Sequence, residues 1–378
     1  MEPLRPTLRT PPMPDNPAPS LRDLLTLLAL PGIGTGRIRR LFGAFPSLDA
    51  IRTASIAQLC AVPGIEREHA RLLRHCRPTR RVELQLERLA LDGFGALTFW
   101  SADYPEPLRR IPDPPVLLFV HGNPPRSWER AVAVVGTRRP SAYGRRVAEH
   151  LSAELVREGM TVVSGLARGV DTVAHEAALA AGGLTAALLG CGIDVIYPPE
   201  NRNLFRRIGE HGVLLSEHPP GILPDGPHFP RRNRLISGLC RGVVVVEAGL
   251  RSGALITADF ALEHNREVFA VPGSLYAPQS AGPHALIQQG AKLVTGVDDI
   301  LEELTGRLAT PTALPTPLPE DLSGEDRALL EHITAEPRHI DHLVLELGAS
   351  PATLLAQLLR LELRGLVRQM GGKMFVRS

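Results

Sequence analysis

Residues 131–171 read AVAVVGTRRPSAYGRRVAEHLSAELVREGMTVVSGLARGVD. Ala131–Val135 and Thr161–Val163 are short, apolar throughout and rich in Val, and each runs into a glycine turn, Gly136-Thr137-Arg138 and Ser164-Gly165-Leu166. Arg145–Glu158 between them has the pattern of a helix. Strands that are apolar at every position are buried on both faces, which implies a parallel sheet covered by helices. The pattern continues outward. Thr185–Leu189, Val213–Leu215, Val243–Val246 and Val268–Val271 read as further strands, and Val170–Ala181 and Thr257–Glu263 as helices. The expected class is therefore α/β with a parallel sheet core.

The flanks differ in character. Residues 1–20 hold seven prolines and read as a disordered tail. Residues 21–80 read as helices separated by Leu30-Pro31-Gly32-Ile33-Gly34 and Val62-Pro63-Gly64-Ile65, the sequence form of a helix-hairpin-helix pair. Such turns expose N–H groups at a helix start, which can hold a phosphate; the alternative is that the two hairpins simply pack together. Residues 81–304 are expected to form the sheet domain, opening with a helix near Arg81–Leu91 and a Pro-rich connection from Pro105 to Pro125. Residues 305–320 form a Pro/Thr linker. Residues 321–378 read as a helix over Ser323–Thr334, a helix-turn-helix (Ile340–Leu347, Ser350–Arg364) and a hairpin through Gly371-Gly372, the pattern of a winged helix.

Composition narrows the function. The 378 residues are 44% hydrophobic and 22% charged, values of an ordinary globular chain and not of a disordered or fibrous one. No apolar run approaches the ~20 residues of a membrane span, and no signal peptide is visible, so a cytoplasmic protein without membrane contact is expected. Cys60, Cys76, Cys191 and Cys240 lie far apart in sequence, indicating neither a disulfide framework nor a zinc ribbon, and no metal or cofactor is expected. Net charge is +2, and of 42 basic residues all but Lys292 and Lys373 are Arg. A lone Arg in such a chain says little; its position beside a glycine loop says more.

Ligands of open parallel sheets sit beyond the carboxyl ends of the strands. The runs there are Gly136-Thr137-Arg138-Arg139, Ser164-Gly165-Leu166-Ala167-Arg168, Gly190-Cys191-Gly192, Phe229-Pro230-Arg231-Arg232-Asn233-Arg234 and Glu247-Ala248-Gly249-Leu250-Arg251. Small residues let backbone approach an oxyanion, and Arg adds forked donors. Arginine in several loops suits an extended polyanion better than one nucleotide. Tyr143, Tyr197, Phe205 and Phe229 lie in or near these loops and are suited to stacking bases. The dinucleotide fingerprint fits poorly, since Arg139-Pro140 fills the turn where a pyrophosphate would rest, and a P-loop is absent.

Together these loops resemble the DNA-processing protein DprA, or Smf, family. The motifs that carry the resemblance are Val134-Val135-Gly136-Thr137-Arg138, Ser164-Gly165-Leu166-Ala167-Arg168-Gly169-Val170-Asp171 with Ala174-His175, Gly190-Cys191-Gly192-Ile193-Asp194 with Tyr197-Pro198, Phe229-Pro230-Arg231-Arg232-Asn233-Arg234 and Phe269-Ala270-Val271-Pro272-Gly273. The resemblance implies an extended Rossmann-like core, with an N-terminal helix-hairpin-helix (SAM-like) domain and a C-terminal winged helix. It implies a homodimer that binds and protects single-stranded DNA and loads the RecA recombinase during natural transformation. Carried over by position, the DNA contacts would be Gly136, Arg138, Ser164, Gly165, Arg168, Arg202, Phe205, Arg231, Asn233 and Arg234. The chain departs from the family pattern at His284 and Ala254, which are not counted as contacts.

The rival class is an enzyme on a related fold, such as a nucleotide N-glycosidase. Its candidate acids are Glu217 and Glu247, and Asp171 and His175 stand four apart as an acid/base pair. The bland readings are a helix-start acid for Asp171, a packed histidine for His175, carboxylates that orient arginines for Glu217 and Glu247, and a small turn residue for Cys191. On these the expected protein is not an enzyme. In the winged-helix segment, Leu354-Leu355-Ala356-Gln357-Leu358-Leu359-Arg360-Leu361 puts leucine where a groove-reading helix carries polar side chains, so sequence-specific duplex reading is not expected.

Overall fold

The computed structural model describes residues 18–305, 323–333, 338–364, 366–370 and 374–377. The tail up to residue 17, the linker from 306 to 320 and the Gly371-Gly372 turn lie outside the described residues. The chain divides at about residue 309 into two units.

The larger unit is built on nine strands: β1 (Gly95–Thr98), β2 (Leu117–Gly122), β3 (Ala131–Val135), β4 (Thr161–Ser164), β5 (Thr185–Leu189), β6 (Val213–Ser216), β7 (Gly242–Val245), β8 (Glu267–Ala270) and β9 (Lys292–Leu293). Their order is β1-β2-β6-β5-β4-β3-β7-β8-β9. From β6 to β9 every neighbouring pair is parallel, while β1 and β2 join antiparallel at the β6 edge. The six sequence-read strands are all present. β1 and β2 fall in the stretch between the helix near Arg81–Leu91 and β3, where little marks them: β1 is only four residues long, and β2 follows Pro114-Pro115 within the Pro-rich passage.

Alternate residues of each strand feed opposite layers. Val132 and Val134 pack with Ala148, Leu151 and Leu155 of the helix Ala142–Arg157. Ala131, Ala133 and Val135 pack with Leu235 and Leu239 of the helix His228–Leu239 and Ala258 of the helix Gly253–Glu263. Small side chains at 131 and 133 let the second layer sit close. Toward β6 the first face is covered by Leu204 and Ile208, and its core continues into the N-terminal helices through Leu24, Ile38, Leu41 and Leu73. The helix-hairpin-helix segment and the sheet thus share one apolar core.

The smaller unit has the helices Gly324–His332, Ile340–Leu347 and Pro351–Leu363 with an antiparallel sheet β10 (Arg338–His339), β11 (Val367–Met370) and β12 (Met374–Arg377) in the order β10-β12-β11, a winged-helix arrangement. Leu354, Leu358 and Leu361 are core, whereas Leu355 and Leu359 are 41% and 57% exposed. No single helix among the described residues is long and apolar enough to cross a membrane.

Burial also fixes a titration behaviour. The His175 imidazole, whose Nδ1 lies 2.6 Å from Thr185 Oγ1, is pushed down to about 3 by loss of water. Desolvation likewise lowers His218 and His264 to about 4. These bases stay neutral in the fold, while the unfolded chain takes up protons below its ordinary histidine pKa of about 6.5. Their contribution to stability is therefore complete above about pH 6.5 and is lost progressively as pH falls toward 4. The urea midpoint is expected to drop between about pH 7.5 and pH 5; a midpoint that holds or rises over that interval contradicts neutral burial of these rings.

Candidate nucleic-acid interface

The crossovers from β3 lead toward β4, and those from β7 lead the other way toward β8, although β3 and β7 are neighbours. Loops leaving two adjacent strands in opposite directions open a crevice at their carboxyl ends. Here that crevice is a groove of about 1120 Å³ between Gly136, Arg138 and Ala167 on one side and Leu250, Arg251 and Ile256 on the other, with Arg232 and Asn233 also in its lining. A narrow extension runs over Arg168, Gly190 and Tyr197.

Two glycines make the arrangement possible. Gly169 has φ +83, and a Cβ on it would lie 2.4 Å from Thr137 O and 2.8 Å from Arg138 Cα. The β3 loop therefore lies directly on the start of the helix Val170–Ala180, which holds Arg138 over the groove. A Cβ on Gly165 would lie 2.6 Å from the Arg232 guanidinium. That guanidinium is 4% exposed and donates to Gly165 O at 2.6 Å and to Leu188 O. Asp171 balances it electrostatically while accepting from Gly165 N at 3.0 Å and Ala167 N at 3.3 Å. Burial pushes the Asp171 carboxyl up, with Arg232 pulling the other way.

Of the ten expected contacts, Gly136, Arg138, Gly165, Arg168 and Asn233 line the groove or its extension. The Arg138 guanidinium lies 5.9 Å from the Phe229 ring centre, and Phe229 tilts against Tyr197 at 5.4 Å. Arg168 is exposed and ion-paired with Glu200. Asn233 Nδ2 donates to Gly253 O at 3.1 Å. Arg231 is exposed beside the groove, 3.8 Å from Glu217. Arg202 is exposed at the start of the helix Arg202–His211 and does not line the groove.

Three expectations require correction. Phe205 is 7% exposed and stacks on His121 within the core, so it offers no face to a base. Ser164 is fully buried and its hydroxyl donates to Val134 O at 2.7 Å, joining β4 to β3. Arg234 is 5% exposed, ion-paired with Glu217, and donates to Asp113 O at 2.6 Å. Arg232, not Arg234, lines the groove, and both are buried. Within the run Arg231-Arg232-Asn233-Arg234 successive helical residues point about 100° apart, and sequence alone does not say which one turns inward.

The acids weighed for an enzyme are bound into the scaffold. Glu247 accepts from Ser141 N at 2.8 Å and Ser141 Oγ at 2.5 Å, which pins the turn after β3. Glu217 pairs with Arg234. Asp171 serves backbone N–H groups and His175 serves Thr185, so they form no acid/base pair. Burial pushes the Cys191 thiol up to about 11, and its Sγ donates to Val195 O at 3.3 Å, the behaviour of a turn residue. Among the described residues no three His, Cys, Asp or Glu side chains are placed to hold a metal.

Residues 95–305 match the family model for DNA recombination-mediator protein A, residues 313–373 that for the DprA winged helix domain, and residues 24–74 that for a SAM-like helix-hairpin-helix tandem. The DNA processing protein DprA of Bacillus subtilis is 49% identical over 216 residues, 57% of this chain and 73% of that protein. Protein Smf of Escherichia coli is 40% identical over 301 residues, 78% of this chain and 80% of that protein. Among solved structures, DprA of Streptococcus pneumoniae superposes with a TM-score of 0.63 at 38% identity, covering 74% of this chain and 95% of that one. DNA processing protein A of Helicobacter pylori, a structure titled for its single-stranded DNA binding mode, superposes with a TM-score of 0.50 at 31% identity, covering 56% and 95%.

The correction at Arg234 has a measurable consequence. Removing one member of a buried ion pair leaves the other charge uncompensated, at a cost of about 3–5 kcal/mol. Arg234→Ala is therefore expected to lower unfolding stability by about that much, whereas Arg138→Ala, at an exposed position, changes it by about 0.5 kcal/mol or less. Equal stability of the two variants in denaturant titrations would return Arg234 to the groove.

Proposed function

This chain belongs to the DprA/Smf family of DNA processing proteins, and from that premise we propose that it is a single-stranded DNA-binding protein without catalytic chemistry, whose groove grips the strand. The observation that carries the reading is the lining of the groove. Arg138 and Arg251 stand over the opening while Arg232 and Asn233 form its inner wall, and the lining includes no carboxylate other than Asp171, which accepts from backbone N–H groups and faces the Arg232 charge. Exposed guanidinium groups suit phosphates, and the facing aliphatic wall of Leu250 and Ile256 suits the faces of unpaired bases. Duplex DNA would leave such a wall unused.

The strand follows Arg138, Gly136, Gly165, Arg168 and Asn233, with Arg231 and Arg202 meeting it outside the groove. Buried Arg232 fixes the loops that present these groups. The protein works as a homodimer in the cytoplasm, protecting incoming DNA and handing it to RecA during transformation. The name of the matched family, a mediator of recombination, supports that assignment.

Binding of oligo-dT is expected to weaken steeply with salt, the log–log slope rising by about 0.7 for each phosphate contacted. Arg138→Ala and Arg168→Ala together should reduce that slope by about 1.4. A slope unchanged in the double variant places the strand elsewhere. Release of a free base from any of a panel of mononucleotides, abolished by Glu247→Gln, would instead establish the enzyme reading. A strictly monomeric species in sedimentation equilibrium, with and without DNA, would remove the homodimer.

A further inference from the structure

The N-terminal hairpins carry arginines that neither the fold nor the groove uses. Both hairpin turns are already occupied by the chain's own groups. Arg37 donates from Nε to Gly64 O at 2.7 Å and from Nη1 to Gly32 O at 2.6 Å, clipping the two turns together. The helix Thr35–Ala44 has Asp113 at its start, where Thr35 Oγ1 donates to Oδ1 at 2.7 Å. The helix Arg67–His75 has Glu66 as its N-cap. A carboxylate beside each helix start takes the position a phosphate would need.

The free cationic surface lies one turn further on. Arg67, Arg71 and Arg74 stand at i, i+4 and i+7 of the helix Arg67–His75, which places them on one exposed stripe, while Ala70 and Leu73 are buried on the other side. Arg67, Arg71 and Arg74 make no ion pair or hydrogen bond among the described residues. Like charges four apart on a helix repel, and Glu68, exposed in the first turn of the same helix, pairs with none of the three among the described residues, which leaves the stripe available to an anion. Arg40 adds a further guanidinium at the turn that leads into this helix, 3.1 Å from where a Cβ on Gly64 would stand.

The stripe is mechanically joined to the groove. Asp113 lies 3.7 Å from Arg39 on the hairpin side and 4.0 Å from Arg234 on the sheet side. Arg234 holds Glu217, which in turn lies 3.8 Å from Arg231 beside the groove. The hairpin helices are therefore fastened to the rim of the groove by alternating charges.

We propose that Arg67, Arg71 and Arg74, with Arg40, form a second surface for the phosphodiester backbone, engaged by the part of a single strand that extends beyond the groove. The inference rests on the groove reading, and the experiment separates the two. Oligo-dT of about 6 and about 30 nucleotides is titrated against the full chain, the triple variant Arg67→Ala/Arg71→Ala/Arg74→Ala, the corresponding triple Lys variant, and Arg138→Ala.

The Ala triple is expected to bind the short strand as the parent does. It should bind the long strand about tenfold or more weakly, with a salt slope smaller by about 2, at about 0.7 per lost phosphate contact. The Lys triple should restore most of the loss, because point charges suffice for phosphates. Long-strand affinity and slope unchanged in the Ala triple overturn the stripe while an Arg138→Ala effect leaves the groove standing. An effect of the Ala triple with none of Arg138→Ala supports the stripe and sinks the groove. Equal weakening of short and long strands by the Ala triple also overturns the proposal, since it would place the stripe within the primary site.

Discussion

The buried guanidinium of Arg232 ties together more of this molecule than any other side chain at the groove. It reaches from the helix His228–Leu239 to the carbonyls of Gly165 and Leu188, at the ends of β4 and β5, and so holds three chain segments at one point. A charge with almost no water around it is tolerated only where acceptors surround it. Here backbone carbonyls supply them, and Asp171 at the start of the neighbouring helix supplies the countercharge. The absence of a Cβ at Gly165 is what gives the guanidinium its space.

From that point the arginines of the chain divide by depth. Arg232 and Arg234 are structural cations, paired or hydrogen-bonded inside the protein. Arg138, Arg231 and Arg251 remain exposed, with water-accessible donors. The division matters because only an exposed guanidinium can exchange solvent and counterions for a phosphate without first breaking a buried contact. The carboxylates follow the same logic: Glu217 and Glu247 are consumed in holding the loops, so the groove keeps its positive character.

Much of the architecture was legible from residues alone. The Val-rich strands announce themselves because burial on both faces leaves no place for polar residues, and Leu354, Leu358 and Leu361 are core for the same reason in the smaller unit. The glycine loops after β3 and β4 were legible as the edge where a groove would open because parallel topology puts all such loops on one side. β1 and β2 were not, since a four-residue strand carries too little pattern and the six residues of β2 are bracketed by prolines. The burial of Phe205 is not legible, because an aromatic beside a basic loop looks the same in sequence whether it faces solvent or His121.

The sequence by itself determined the parallel α/β core, the helical and winged-helix flanks and the edge of the sheet where the groove opens, because these follow from hydrophobic period and chain direction. Only the tertiary structure decided which members of a run of polar residues face the groove. In Arg231-Arg232-Asn233-Arg234 a helical turn separates solvent from core within a single residue, so one arginine is presented, one is buried in carbonyls and one is locked to Glu217. That choice depends on where Asp171, Glu217 and Asp113 arrive from distant parts of the chain, and no local pattern encodes it.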